Sequence, residues 1–109
     1  MDDTRMFGEL LRRLNADDCA AAPRPGGEAI EISRWAGTDL PDPMVLEVSP
    51  ASLGDRLRAT AADAVQVFPS AEPATAALQL LVVHIQEALK TRPPGSRRLL
   101  LEPGGVRAT

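Results

Sequence analysis

A single small α+β domain, ordered α-β-β-α-α-β, is the fold this sequence predicts. Three observations predict it: three stretches with apolar residues at helical spacing, two with strand-like alternation, and Gly- and Pro-rich breaks between them. The expected sheet has about three strands, mostly antiparallel, with the helices packed on one face.

The first helix is expected over residues 4–15, where Met6, Phe7, Leu10, Leu11 and Leu14 share a face opposite Glu9, Arg12 and Arg13. Asp2 and Asp3 stand where the helix dipole favours negative charge. Pro23-Arg24-Pro25-Gly26-Gly27 excludes its continuation, and residues 20–27 are expected as a loop.

Glu28–Trp35 alternates Ile30 and Ile32 against Glu31 and Ser33, the pattern of a half-buried strand. Met44–Ser49 repeats it, with Met44, Leu46 and Val48 opposite Val45 and Glu47. The turn-forming segment Gly37–Pro43 between them predicts an antiparallel hairpin.

Ser49-Pro50 is a helix start, with Ser as N-cap and Pro at the first helical position. This second helix is one-sided: Leu53, Leu57, Thr60, Ala61, Ala64 and Phe68 share a face, while Asp55, Arg58, Ala59, Asp63 and Gln66 lie away from it. Pro69 stops it, and a third helix is expected over Ala74–Thr91 before Arg92-Pro93-Pro94-Gly95. Arg98–Glu102 is a short apolar strand, and Pro103-Gly104-Gly105 turns the chain toward a tail. The domain therefore spans 1–109, with residues 1–3 and 103–109 expected as mobile tails.

The third helix is the one element apolar on two sides. Leu78, Leu81, Val82, Ile85, Ala88 and Leu89 form a broad face, and Leu80 and Val83 point the opposite way. Leu99, Leu100 and Leu101 likewise give the last strand two apolar faces at an open sheet edge. Both features ask for cover, so self-association as a homodimer, or contact with another protein, is expected through Leu80, Val83 and Leu100. Trp35, at a strand end beside Gly37, either caps the core or anchors that partner.

Composition narrows the function classes. Net charge is −3 with a pI near 5.1, which excludes a general nucleic-acid or anionic-membrane binder. The aromatics are Phe7, Phe68 and Trp35, too few for a stacking platform. Eleven Arg against one Lys, with abundant Ala, Gly and Pro, matches the codon bias of a high-GC bacterial genome. Cys19 has no disulfide partner in the chain, and the acidic, amphipathic start lacks a signal-peptide run, so a cytoplasmic location is expected. The longest apolar run, Leu80–Val83, is far short of a membrane span.

Chemistry-bearing patterns are sparse. His84, the single histidine, and Glu87 are three apart on one helix, half of a metal or ligand site at most, and no second such pair occurs. Asp17 and Asp18 beside Cys19 disfavour its thiolate. Lys90, Arg92, Arg97 and Arg98 surround Pro93–Ser96 and could meet an anion or an acidic partner. The Gly-Gly pairs fit neither a P-loop nor a dinucleotide fingerprint. No cofactor or metal is expected. The sequence thus reads as a non-enzymatic, homodimeric protein-interaction domain: a regulatory or adaptor subunit, an antitoxin or immunity protein, or a chaperone. The alternative is a small enzyme or ligand-binding protein with a sheet–helix pocket at His84.

Overall fold

Every strand in the sheet lies next to its sequence neighbour, three of the four neighbouring pairs antiparallel and the fourth parallel across a two-helix crossover. A computed structural model describes residues 2–109, with elements α1 (Asp3–Leu14), β1 (Ala20–Pro23), β2 (Ile30–Trp35), β3 (Thr38–Leu46), α2 (Pro50–Val67), α3 (Pro73–Lys90), β4 (Arg98–Glu102) and β5 (Gly105–Ala108). The sheet order is β1-β2-β3-β4-β5, antiparallel except for β3 and β4, which run parallel. A parallel pair needs a crossover, and the α2–α3 hairpin is that crossover.

The α+β class and all three helices stand as expected, each within a residue or two. Asp2 caps α1 by accepting from the Thr4 and Arg5 amides. Ser49 caps α2 in a reciprocal capping box with Ser52, followed by Pro50. The expected three-stranded sheet is corrected to five strands. Part of the 20–27 loop is β1, and residues 105–108 of the expected tail are β5. Of the 1–3 tail, Asp2 and Asp3 belong to the cap and first turn of α1, and Met1 lies outside the described residues.

β1 is built on alanines and a proline, poor strand formers, and a side chain holds it. The Asn15 amide donates to the Leu11 and Ala21 carbonyls at 2.8 and 2.9 Å, and its oxygen accepts from the Ala21 amide at 2.9 Å. Asn15 thus offers Ala21 the donor and acceptor a neighbouring strand would supply. β5 follows the turn Glu102-Pro103-Gly104-Gly105, where Gly104 sits at φ +81, suiting a type II turn with Pro at its second position.

The β2–β3 connection is tighter than the sequence suggests. Trp35 pairs with Thr38, so Ala36 and Gly37 alone make the turn, at φ +50 and +81. Two positive φ values define the hairpin turn whose twist matches the strands. The remaining Leu40–Pro43 stretch bulges out of register between the Arg34–Asp39 and Ile32–Met44 pairs, because prolines cannot serve the ladder. Arg34 ties the turn to the α1–β1 loop, reaching Asp18 at 3.2 Å and Asp39 at 2.8 Å. Ala36 is the strained member. Ala36→Gly is expected to raise stability by about 0.5–1 kcal/mol, the left-handed penalty less glycine's extra chain entropy, read as a higher melting temperature.

One buried cluster fills the space between sheet and helices. It joins Met6, Phe7, Leu10 and Leu14 of α1, inward residues Ile30, Ile32, Met44, Leu46 and Leu99, and the α2 and α3 faces. α3 is the central helix, packed against α2, α1 and β5. Its two apolar sides therefore meet different parts of the same chain. Leu80 packs on the core cluster, and of the expected second stripe only Val83 stays exposed. β4 likewise lies between β3 and β5 in the sheet order, although β3 pairs only with its first residues, Arg98 and Leu99. The real edges, β1 and β5, are four residues each, blunted by Pro23 and Arg107. Where α2 crosses α1, Gly54 is buried, and a Cβ there would collide with the Asp3 carboxylate. Among the described residues, no helix is long and apolar enough to cross a membrane.

Candidate functional site

The largest concave surface forms where β3 leaves the sheet. The last bond between β3 and β4 runs from the Glu47 amide to the Leu99 carbonyl, at 3.1 Å. The chain then turns at Ser49 into α2, while β4 continues through Leu100, Leu101 and Glu102. A groove of about 810 Å³ opens between α2 and the β4–β5 hairpin. Leu100, Leu101, Ala59 and Pro103 give it apolar surface; Glu47, Asp55, Asp63 and Glu102 bring carboxylates, and Arg56 is the one lining cation among the described residues. The α2 members recur three and four apart, so one helical face forms the wall.

Arg56 fastens the two sides together. Its guanidinium donates to the Glu102 carbonyl at 2.5 Å and the Gly105 carbonyl at 2.9 Å, closing the hairpin turn against α2. It has no carboxylate partner among the described residues, and burial lowers its pKa. The fork geometry of arginine suits two carbonyls on opposite strands of one turn.

His84 lies within electrostatic reach of Arg56 across the α2–α3 hairpin. It is half-buried, its Nδ1 has no hydrogen-bond partner among the described residues, and desolvation, then the Arg56 charge, hold its pKa below 6.5. Glu87, the expected companion, is exposed and makes no ion pair with His84 among the described residues. Since folding disfavours the imidazolium, the unfolded chain binds the proton first as pH falls. Stability is therefore expected to decline once pH drops below about 6.5 and to level off beneath the depressed native value. His84→Gln should remove that segment of the urea-midpoint profile; an unchanged profile would show that His84 is as solvated folded as unfolded.

The other sequence-marked residues disperse. Leu100 reaches the groove; Leu80 is partly buried against the core, and Val83 is exposed on α3 and does not line the groove. Trp35 packs on the core and helps line a separate recess of about 210 Å³ with Cys19, Val82 and Gln86. The Cys19 sulfur there accepts from the Ala36 amide at 3.3 Å. The basic cluster is divided. Arg92 closes the α3 C-terminus on the Leu89 carbonyl, Arg97 pairs with Asp42 at 3.5 Å, and Arg98 pairs with Glu47. Lys90 shares an open recess with Arg92, Pro41, Asp42 and Pro93–Ser96. Among the described residues, no three His, Cys, Asp or Glu side chains converge to hold a metal ion.

Sequence reasoning assigned Asp55, Ala59 and Asp63 to the solvent side of α2 and passed over Arg56. The available signal was Ala59, a small apolar residue midway between two aspartates four positions to either side. Comparison with known proteins finds no matching family model, no similar curated protein and no similar solved structure.

Proposed function

We propose that this protein works by binding another protein chain, in a regulatory, adaptor, antitoxin, immunity or chaperone role, and that the groove between α2 and the β4–β5 hairpin is its docking surface. The observation that carries this reading is the apolar surface of Leu100, Leu101, Ala59 and Pro103, the two leucines only partly buried, lining a concavity bordered by charged side chains. Exposed apolar surface with a polar rim is the common signature of a protein contact. Its walls are a capped helix and a hairpin fastened by Arg56, so the surface is formed before a partner arrives. Self-association through the second stripe of α3 draws less support, because Leu80 packs on the core of its own chain.

A photocrosslinking side chain at Ala59, introduced in the producing cell, tests the reading. The expected result is a discrete adduct, absent when the same group replaces Thr38 at the opposite end of β3 and lost on competition with unmodified protein. An adduct of twice the monomer mass would make the partner a second copy. Equal labelling from both positions, or none, would defeat the docking surface.

A further inference from the structure

The rim of the groove is acidic in a way that specifies what it receives. Among the described residues, four carboxylates line it, Glu47, Asp55, Asp63 and Glu102, against Arg56 alone. Arg56 is turned to the Glu102 and Gly105 carbonyls. Three of the carboxylates have arginine partners: Glu47 with Arg98, Asp55 with Arg58 at 2.9 Å and Glu102 with Arg107 at 3.0 Å. Those arginines stand outside the lining, and their side chains are 55%, 52% and 58% exposed respectively. Exposed pairs of this kind contribute little, so an arriving cation can share or replace the arginine at small cost. Asp63 has no ion-pair partner among the described residues and is open to solvent.

Spacing adds to charge. Asp55, Ala59 and Asp63 form one row on α2, four residues per step. At a rise of 1.5 Å per residue, the two aspartates lie about 12 Å apart along the helix. An extended chain repeats side chains on one face so that positions four apart are separated by about 13 Å. Ala59, between the aspartates, leaves room for an apolar side chain to reach Leu100 and Leu101.

We propose that the groove takes an extended, cationic and apolar segment of a partner protein, its arginine or lysine side chains on Asp55 and Asp63 and its apolar ones over Ala59, Leu100 and Leu101. The inference rests on the protein-binding reading above and adds the chemistry of the occupant. Steering by the acidic rim makes the association depend on salt.

The test uses three fluorescent peptides of equal length, followed by anisotropy against the full chain. One repeats Arg-Ser-Leu-Ser, and the others carry glutamine or glutamate for arginine, so that charged or polar side chains alternate with apolar ones along one face. The Leu/Arg peptide is expected to bind and to weaken as salt rises. Its affinity should fall about tenfold in Asp63→Lys, where attraction becomes repulsion, and remain unchanged in Glu28→Lys. Leu100→Ser, which keeps every charge, should also weaken it. Equal binding of the Leu/Gln or Leu/Glu peptide would overturn the cationic occupant while leaving a protein-binding groove in place. Loss of affinity in Glu28→Lys as large as in Asp63→Lys would reduce the effect to overall charge and overturn it too. Failure of all three peptides to bind overturns the occupant, and the crosslink from Ala59 then decides whether the groove binds any chain.

Discussion

Ile85→Ala is expected to destabilise the protein by about 2–5 kcal/mol, a large part of the 5–15 kcal/mol that holds a domain of this size together. Ile85 is fully buried in the cluster where α3 meets the sheet and its neighbouring helices, so the cavity cannot collapse without moving several elements. Leu80→Ala, on the other side of α3, should cost about 1–2 kcal/mol, because its side chain is only partly covered by the core. Val83, 40% exposed, should change stability by no more than about 0.5 kcal/mol on conversion to alanine. Urea unfolding at several protein concentrations checks all three. The graded order, independent of concentration, is the signature of a helix covered by its own chain. A Leu80→Ala variant of native stability, or a Val83→Ala penalty growing with protein concentration, would instead place the second stripe between subunits.

That series bears on what the sequence could and could not disclose. The two-sided pattern of α3 was legible from spacing alone, and so were its limits, set by prolines at either end. What covers the second side was not legible, because an apolar stripe has the same appearance whether its cover is a second subunit or a strand farther along the chain. Here α3 packs against β5 as well as the other helices, and β5 is hidden in a four-residue segment, Gly105–Ala108, with one alternation between Val106 and Arg107. The Pro103-Gly104 turn and the three leucines before it formed the other half of that hairpin signal. β1 was illegible for a different reason. Ala20–Ala22 have little strand propensity, and a single distant side chain, Asn15, holds Ala21 in the ladder.

The groove was hidden by a similar ambiguity. Helix periodicity sorts residues into a face toward the core and a face away from it, and Asp55, Ala59 and Asp63 fall on the second. Only the divergence of β3 from β4 after Glu47, followed by a hairpin turned back onto α2, converts part of that solvent face into a wall. Both are non-local facts. Arg56 belongs to the same class: nothing around it in the sequence marks an arginine whose partners are main-chain carbonyls some fifty positions on.

Removing the Arg56 guanidinium is the second change of large expected effect. Arg56→Met keeps most of the apolar stem and deletes the donors, so the Glu102 and Gly105 carbonyls must turn to water. Charge-assisted bonds at a half-buried position predict a loss of about 1.5–3 kcal/mol. The loss should also be local. Amide exchange should quicken in β4 and β5, whose turn is no longer held to α2, before it changes in β2 or α1. His84 supplies an independent readout. Without the neighbouring charge its pKa should rise part of the way toward 6.5, since desolvation, the larger cause of its depression, remains. Arg56→Lys separates the two roles. Lysine retains the positive charge but cannot fork across two carbonyls, so the hairpin should loosen while His84 stays depressed. If Arg56→Met and Arg56→Lys moved the His84 titration equally, Arg56 would act on the histidine through packing rather than charge. If neither quickened exchange in the hairpin, the clamp would be incidental, and the groove wall would owe its shape to the Pro103-Gly104 turn alone.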